Sequence, residues 1–399
     1  MSMPRAVRHI NEVRILASLY RNGTTTRADL ARELGLMRST VGNLVVGLIE
    51  QGLVSETEVS GSTPGGRTGR PGQLVQLNAT HAAFIGADIG VGHMSVVAVD
   101  LLGRPVRSRT VAFEPTFGDV DKAIDGLASL VRALMKQLPA EQQVQGICVT
   151  VPGLVDREGV VLRAPVLGWN AVPVQQLLAA RLKWSGVLTS ENDANAFAAA
   201  ELYGRSPQDS ADALFVYLDA GVGGGLASQG KLLRGHRGYA GEIGHIHLGE
   251  HGFDPDTAVQ GSFESYVARD AVLARYQHHG GADDGLQGFL AALSAQAPAA
   301  LRTISEWAWW LGRGLASLIS VLDPGRIVLG GPVAALYAHA EREVLESIKK
   351  HLVLPFTLPA IEASTLGTEA CALGGAMMLH HAHLSIDERI VYGSANEAA

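Results

Sequence analysis

The sequence predicts an α/β protein in which a small N-terminal winged helix-turn-helix precedes a larger body of two α/β lobes. Three observations support this fold class. Residues 24–54 read as two short helices around a glycine turn, residues 82–151 alternate apolar strands with a helix, and two strands run into glycine-rich turns. A chain of 399 residues has room for two or three domains of this kind.

The N-terminal segment has the residue spacing of a helix-turn-helix. Leu30 and Leu34 lie four residues apart, and Gly35 ends the helix that holds them. The next helix repeats apolar residues at i, i+3, i+4 and i+7, namely Val41, Leu44, Val45 and Leu48. A preceding helix has an apolar face that can pack on this pair, made of Ile10, Val13, Leu16, Ala17 and Tyr20.

A β-hairpin after these helices completes the predicted winged helix. Residues 53–58 and 73–77 alternate polar and apolar side chains, as half-buried strands do. The glycine-rich segment 60–72 joins them and carries Arg67 and Arg70. One departure from the usual helix start is Met37, which occupies an N-cap position where Ser or Thr would satisfy a backbone N–H.

The polar residues of this module are placed to read DNA. The side chains that could reach base edges in the major groove are Arg38, Ser39, Thr40 and Asn43. Arg67 and Arg70 could enter an adjacent minor groove, and Arg5 and Arg8 could contact phosphates. The pattern therefore predicts a DNA operator as partner; the alternative is a winged helix that only docks protein.

The charge distribution agrees with a polyanion partner at one end of the chain. Residues 1–78 hold nine Arg and six acidic residues, a net charge of +3, whereas the remainder has a net charge of −10. This difference favours DNA binding only modestly, because a net charge of +3 is small.

The body begins with a change of periodicity at Ala82. Residues 84–90, 94–100 and 106–113 read as three strands, followed by a helix over 120–138 and a strand over 145–151. Further on, the strand 213–218 leads into the glycine-rich run 219–225, and the strand 326–331 ends in a glycine turn.

This arrangement is typical of nucleotide-binding kinases of the actin and hexokinase type, whose lobes are ribonuclease H-like. The expected division is residues 1–78 for the winged helix-turn-helix and residues 79–192 plus about 375–399 for the first lobe. Residues 193–374 then form the second lobe.

Six motifs in consistent order resemble those of ROK-family transcriptional repressors of the xylose and N-acetylglucosamine regulator type. They are Gly69-Arg70-Pro71, Asp88-Ile89-Gly90, Val151-Pro152-Gly153, Glu191-Asn192-Asp193-Ala194-Asn195-Ala196, Gly221-Val222-Gly223-Gly224-Gly225 and Gly241-Glu242-Ile243-Gly244-His245. Each motif alone is weak, but the resemblance covers nearly the whole chain. It implies an actin/hexokinase-like ROK module with a sugar-binding cleft.

The resemblance also implies the residues of that cleft. Asp193 stands where ROK kinases have their catalytic base, and Asn192 would bond the sugar; both could also simply cap the helix that starts near Ala194. Three further residues stand where the family contacts sugar hydroxyls, with an ion pair or helix cap as the alternative: Glu242, His245 and Glu264. Gly153 belongs to the same implied pocket.

Two positions near the implied sugar pocket depart from the family or stay open. Val166 stands where many members carry a sugar-binding Asn, so one polar contact is missing, and we expect a ligand that is smaller, less hydroxylated or seated differently. Trp169 could stack on the apolar face of a sugar or could be ordinary core packing, and the sequence favours neither.

The first phosphate-binding turn departs further from the family. ROK kinases resemble Asp-Ile-Gly-Gly-Thr-Lys here, whereas this chain continues from Asp88 to Gly90 with Val91, Gly92 and His93. A bulkier residue blocks close backbone approach, and the hydroxyl and the ammonium group are lost. We therefore predict a sugar-binding module without a cofactor and without enzymatic activity, Asp193 being a vestigial base. The alternative is a functional ATP-dependent sugar kinase that also binds DNA.

The family's zinc site is altered as well. The positions of its three cysteines fall on Pro255, Thr257 and Ser262, so no thiolate ligand remains. A nitrogen and oxygen site is conceivable from His245, His247 and His251 with Asp254 or Asp256, but a solvated loop is the expected outcome, and no metal is predicted.

The remaining predictions concern cellular context and assembly. Cys148 and Cys371 lie in apolar runs and read as buried thiols of a reducing compartment. No apolar run reaches about 18 residues and no signal-peptide core is visible, so we expect a cytoplasmic protein without a membrane partner. Trp307, Trp309 and Trp310 are either core or a dimer face, and paired half-sites favour a homodimer, with a tetramer as the alternative.

The leading hypothesis is a sugar-responsive repressor that leaves its operator when a sugar closes the cleft between the lobes. This requires the sugar to prefer the arrangement that does not bind DNA. A regulator whose ligand strengthens DNA binding, or one sequestered by a phosphotransferase-system protein, stays open from sequence.

Overall fold

The computed structural model describes residues 3–58, 73–114, 116–204, 212–253, 259–353 and 357–385. Its N-terminal module, called the head below, has three helices, α1 (Met3–Asn22), α2 (Arg27–Leu34) and α3 (Arg38–Glu50). A small antiparallel sheet packs on them, with strands in the order β1 (Thr25–Thr26), β3 (Gln73–Leu77) and β2 (Val54–Glu58). The predicted winged helix is confirmed.

Local sequence explains where the head helices begin and end. The Thr26 hydroxyl accepts a hydrogen bond from the backbone N–H of Asp29 and so caps α2. Gly35 ends the same helix in the left-handed conformation, with φ of 66°. Helix α3 begins at Arg38, and Met37 before it makes no side-chain cap, as the sequence predicts.

The first lobe is built on a five-stranded mixed sheet with the order β11-β7-β4-β5-β6. Its strands are β4 (Ala82–Ile89), β5 (Gly92–Asp100), β6 (Pro105–Phe113), β7 (Gln143–Val151) and β11 (Val187–Asn192). Helices α4 (Val120–Met135) and α5 (Val174–Leu182) flank it. A small sheet beside it holds β8 (Leu154–Val155), β9 (Val161–Ala164) and β10 (Trp169–Val172).

The second lobe has its own five-stranded sheet, in the order β14-β13-β12-β15-β16. Its strands are β12 (Ala213–Leu218), β13 (Val222–Ser228), β14 (Lys231–Leu232), β15 (Arg326–Gly330) and β16 (Ala360–Ala363). Its helices are α7 (Glu264–Val267), α8 (Arg269–His278), α9 (Gly285–Ser294), α10 (Pro298–Leu322) and α11 (Tyr337–His351). Two such sheets confirm the predicted two-lobed architecture.

Two helices connect the lobes and the head. Helix α6 (Asp193–Tyr203) follows β11 and is almost entirely buried. Helix α12 (Ala370–Leu384) packs on α6, on β4 of the first lobe and on α1 of the head. No pattern in the sequence predicted α12. The run of Ala, Gly and Met in this helix, without a polar face, is typical of a helix buried on all sides.

The head and the first lobe share one hydrophobic core. Leu16 and Leu19 of α1 belong to the same buried cluster as Val97 and Val99 of β5 and Met377 of α12. Because protein cores are close-packed, such a continuous cluster ties the head mechanically to the first lobe. Over the described residues, no helix is long and apolar enough to cross a membrane.

Candidate functional site

The exposed face of α3 carries the residues predicted to read DNA. Arg38, Ser39 and Asn43 are exposed and Thr40 is half-buried, while the opposite face packs into the head core. Sequence reasoning missed two apolar neighbours on this face. Met37 is 74% exposed and Val46 is 44% exposed, and such side chains suit contact with thymine methyl groups.

Of the other arginines predicted to contact DNA, only Arg8 has a side chain that the structure describes. Arg8 donates to Glu12 at 2.9 Å, and its guanidinium lies against Gly47 of α3, so part of its capacity is used within the head. The side chain of Arg5 lies outside the described residues, as do Arg67 and Arg70 at the wing tip.

Of the two roles predicted for Asn192, sugar contact and helix capping, the structure shows the helix cap. Its side-chain oxygen accepts hydrogen bonds from the backbone N–H groups of Ala194 and Asn195, so it caps α6. Its amide nitrogen donates to the carbonyl oxygen of Gly153 at 2.9 Å. Asn192 therefore caps α6, and this cap fixes the position of Asp193 in the first turn of the helix.

A second group of predicted residues also meets at the cleft. The His245 imidazole lies 3.7 Å from a Glu242 carboxylate oxygen and 4.0 Å from a Glu264 carboxylate oxygen. The other Glu264 oxygen accepts from the backbone N–H of Val222 at 3.5 Å. Glu242 and His245 are about half exposed, whereas Glu264 is largely buried, so the cluster presents two acceptors and an imidazole to solvent.

Electrostatics connect the two groups. Burial raises the pKa of Asp193 well above its usual range, and the nearby carboxylates of Asp88, Asp219 and Glu242 raise it further. Burial also raises the pKa of Glu242, while His245 opposes that shift. The cleft thus concentrates acidic groups, one of which, Asp219, sequence reasoning had not singled out.

In the turn that resembles the family's first phosphate-binding turn, a side chain of the protein fills the space beside Gly90. The Asp88 carboxylate is buried and accepts from the Thr150 hydroxyl at 2.6 Å. The His93 ring lies over Gly90, with its Nε2 3.5 Å from the other Asp88 oxygen and its Nδ1 3.3 Å from the Val91 carbonyl oxygen. Loss of the usual hydroxyl and ammonium groups is therefore accompanied by an imidazole that fills the turn.

The second glycine-rich run is a packing feature. Gly223, Gly224 and Gly225 lie within strand β13, where β-carbons at the first and third would meet Ala194 and Ala198 of α6 at 2.5 and 2.1 Å. Only Asp219 to Gly221 form the turn, closed by a bond from the Asp219 N–H to the Gly221 carbonyl. The glycines of this run allow α6 to approach the sheet closely, a reason that does not involve phosphate.

Trp169, for which the sequence favoured neither role, is 2% exposed and belongs to the first-lobe core. It cannot stack on a sugar. The exposed aromatic residue nearby is Phe117, which is 77% exposed and lies against Gly168. Val166, the position without the family's Asn, is half-buried in the same segment.

The loop that holds zinc in ROK-family members has no matching donor set here. His247 and His251 are exposed, whereas Ser262 is buried and bonded to Ser265. Asp254, Pro255, Asp256 and Thr257 lie outside the described residues. Within the described ranges no group of three metal-ligating side chains is found, and hydroxyl and imidazole groups do not fit a thiolate zinc site.

The three tryptophans of α10 do not form one exposed face. Trp307 is fully buried and donates to the Val267 carbonyl, while Trp310 stacks on Tyr266 at 3.7 Å between ring centroids. Trp309 is half-buried under Lys350. Trp307 therefore belongs to the core, whereas Trp309 and Trp310 keep part of their surface exposed, and the dimer-face alternative is not tested for these two. Helix α10, which carries all three tryptophans, begins at Pro298.

An inter-lobe contact beside the cleft was missed by sequence reasoning. Arg234, in the loop after β14, forms an ion pair with buried Glu191 at the end of β11. Glu191 also accepts from Asn195 at 3.1 Å, and Arg157 of the first lobe donates to the Gly235 carbonyl at 2.9 Å. Nothing in the sequence around Arg234 signals this role.

Comparison with known proteins agrees with both parts of the architecture. The model of the ROK family matches residues 84–382, and the model of the MarR family matches residues 8–62. A putative xylose repressor from Caldicellulosiruptor sp. (strain Rt8B.4) is 28% identical over 394 residues, covering 94% of this chain and 96% of that protein.

Solved structures give the same result. A ROK family transcriptional regulator, described as a homologue of the E. coli Mlc protein, superposes with a TM-score of 0.77 at 22% identity and covers 95% of this chain and 97% of its own. A ROK family glucokinase from Streptomyces griseus, solved with glucose and AMPPNP, has a TM-score of 0.66 and 27% identity, covering 74% of this chain and 98% of its own.

Proposed function

Because this chain belongs to the ROK family, we propose that it is a sugar-responsive, DNA-binding transcriptional repressor whose effector sugar binds in the cleft between the lobes. The proposal rests on the presence of a DNA-reading head and a sugar-kinase-like body in one molecule. A winged helix with an exposed polar recognition face shares a continuous core with a lobe that lines an acidic, sugar-kinase-like cleft. The relatives named as repressors resemble this chain over the same two parts.

The head would bind the operator through α3. Arg38, Ser39 and Asn43 would contact base edges in the major groove, and the wing would contribute Arg67 and Arg70 in the minor groove. Two heads in a homodimer would read paired half-sites about one helical turn apart, and a tetramer would pair two such dimers. The protein would act in the cytoplasm, where operator DNA is found.

The sugar would bind through vicinal hydroxyls. Glu242, Glu264 and His245 of the second lobe are close enough to share neighbouring hydroxyl groups. Asn192, the last residue of β11 in the first lobe, would contact the sugar from the opposite side, and Asp193 would contact it from the start of α6. Gly153 would contribute backbone beside the Asn192 amide. A ligand held from both lobes stabilises their closed arrangement, so the sugar would have the differential affinity that a switch requires.

Helix packing supplies the route from cleft to head. Asp193 stands in the first turn of α6, and Gly374 brings α12 so close to α6 that a β-carbon there would lie 1.7 Å from the Ala196 carbonyl oxygen. At the far end of α12, the His380 ring bonds the Leu101 carbonyl at 2.9 Å and contacts the Tyr20 ring of α1, 4.9 Å between centroids. A shift of α6 would therefore reach α1 through rigid, closely packed backbone.

Operator titration with a sugar panel tests this function. Fluorescence anisotropy with DNA from the region upstream of the chain's own gene should show specific binding, weakened about 10- to 100-fold by one sugar of the panel. Xylose is the first sugar to test, given the relatives' names. Arg38→Ala should lose sequence specificity, while Arg32→Ala, exposed on α2 away from the recognition face, serves as its control. Absence of any sugar effect would contradict the proposal.

A functional sugar kinase that also binds DNA is the second candidate function. The observation that favours it is Asp193, whose raised pKa and position match a base that takes a proton from a sugar hydroxyl. ADP release with the same sugar panel tests it. Sugar-dependent turnover well above that of Asp193→Ala would establish the kinase, and turnover equal to that variant would leave only the regulator.

A further inference from the structure

The imidazole of His93 occupies the volume that the first phosphate-binding turn would offer to a nucleotide. A β-carbon at Gly90 would lie 2.3 Å from Cε1 of His93 and 2.7 Å from its Nε2. The ring therefore rests directly on the Gly90 backbone. Atoms of a phosphate group would need the same space in order to reach the N–H groups of the turn.

This placement changes the reason for the glycine. Glycine in a phosphate-binding turn allows the ligand to approach the backbone, as the sequence pattern first suggests. Here Gly90 admits a side chain of the same protein, because any β-carbon would collide with the imidazole. The turn keeps its glycine while its binding surface is already covered.

The charges around His93 match this occupancy. Its Nε2 faces the buried Asp88 carboxylate at 3.5 Å, and its Nδ1 lies 3.3 Å from the Val91 carbonyl oxygen. Asp88 raises the pKa of His93 more than burial lowers it, and Asp219 across the cleft raises it further. Asp219 is also paired with Arg269 at 3.2 Å. Both carboxylates that flank the turn thus lie beside a basic side chain of the protein itself.

We propose that His93 is the residue that excludes nucleoside triphosphates from this cleft, because its imidazole fills the space above Gly90 that a phosphate group would need and lies beside the Asp88 carboxylate that a metal ion would otherwise approach. The inference rests on the proposed function, since it explains how a kinase-like cleft remains a receptor for sugar alone. On this proposal, one side chain accounts for the loss of nucleotide binding. General loss of the family's phosphate motif would instead divide that loss among several positions.

Calorimetric titration with ATP and Mg²⁺ tests the proposal on the full-length protein. The wild type should show no heat of binding up to millimolar ATP. His93→Ala opens the volume above Gly90 and leaves Asp88 free to engage a hydrated metal ion, so it should bind Mg-ATP at least tenfold more tightly than the wild type. His93→Lys, whose flexible ammonium group can turn toward phosphate, should also gain binding. His339→Ala, on the exposed face of α11, is the matched control and should behave as the wild type does.

Two results would overturn the proposal. The first is that the wild type binds Mg-ATP as tightly as His93→Ala does. The second is that His93→Ala and His93→Lys both fold but neither binds Mg-ATP. If His93→Ala does not fold, His93→Lys decides by the same titration: binding of Mg-ATP supports the proposal, and no binding by the folded variant overturns it. Sugar-driven release of operator DNA, measured in the same preparations, reports on the proposed function separately from nucleotide exclusion.

Discussion

The two sides of the proposed cleft differ in what occupies them. On the side proposed to hold sugar, the His245 imidazole lies within 4.0 Å of both Glu242 and Glu264, while Asn192 and Asp193 stand at the start of α6. On the phosphate side, the turn after Asp88 is filled by His93. The comparison teaches that a kinase fold can separate its two substrates physically. Sugar binding needs only hydrogen-bond acceptors on side chains. Nucleotide binding needs backbone N–H groups that are open to the ligand, and a neighbouring side chain easily covers such groups.

The largest expected effect is on the sugar side. Glu264→Ala removes a largely buried acceptor and should weaken sugar binding by about 10- to 100-fold, since a hydrogen bond to a charged group contributes about 1.5–3 kcal/mol. Operator affinity without sugar should stay unchanged, as anisotropy can show. Glu141→Ala, an exposed position on the first lobe, is the control. Sugar-driven release that persists at wild-type concentrations in Glu264→Ala would show that the pocket lies elsewhere.

The second prediction concerns the glycine under His93. Gly90→Ala should destabilise the protein by about 2 kcal/mol, because the new methyl group collides with the imidazole. In the His93→Ala background the same change should cost much less, so the double-mutant cycle should give a coupling energy of at least about 1 kcal/mol. Denaturant unfolding of the four proteins measures it.

A control for this cycle comes from the neighbouring lobe. Gly221→Ala would place its β-carbon 3.3 Å from a Glu264 oxygen, a contact that His93→Ala should not relieve. Additive effects of Gly90→Ala and His93→Ala would mean that the imidazole does not rest on Gly90 in solution.

These sites show which parts of the molecule the sequence could predict. Periodicity of two and of 3.6 residues predicted four strands of the first sheet to within two residues at each end, and it predicted both hairpin strands and the recognition helix. The fifth strand of that sheet, Val187–Asn192, was not predicted. The helix predicted over 120–138 ends earlier, at Met135. Close packing of backbone, by contrast, leaves no periodic trace, so the burial of α12 against α6 was missed.

Glycine was the least informative residue from sequence alone. The run from Gly221 to Gly225 is one of the motifs that resemble the ROK family, but three of its glycines lie in β13 and allow the close approach of α6. Gly90 likewise fits either a ligand or a side chain of the protein itself. Which atoms fill the space beside a glycine depends on residues far away in the chain, and spacing cannot supply that information. The division into domains stays a prediction, as does the role of each sugar-site residue.

The third prediction lies between the two sides of the cleft, at Asp193. Its raised pKa means that ionising this buried carboxyl costs free energy in the folded state, and Asp88 adds repulsion. Asp193→Asn should therefore raise stability at pH 7 by about 1 kcal/mol, while sugar affinity falls. Asp156→Ala is a contrasting variant, because the Asp156 carboxylate accepts from the Val160 N–H at 2.8 Å and its removal should destabilise the fold. A less stable Asp193→Asn would mean that the carboxylate is compensated in the fold.

The smallest effect is a pH dependence that belongs to the phosphate side. Because Asp88 raises the pKa of His93 above its ordinary 6.5, His93 stabilises the fold fully below pH 6.5, and this contribution is lost as pH rises through the raised pKa. His380 acts in the opposite sense: burial lowers its pKa to about 4, so its contribution is lost only as pH falls from 6.5 toward 4. Of these two contributions, only that of His93 changes above pH 6.5. The wild type should therefore lose stability relative to His93→Ala as the pH rises above 6.5, measured by denaturant unfolding at each pH. Parallel curves for the two proteins would show that His93 carries no charge in the turn, and the nucleotide would then be excluded by volume alone.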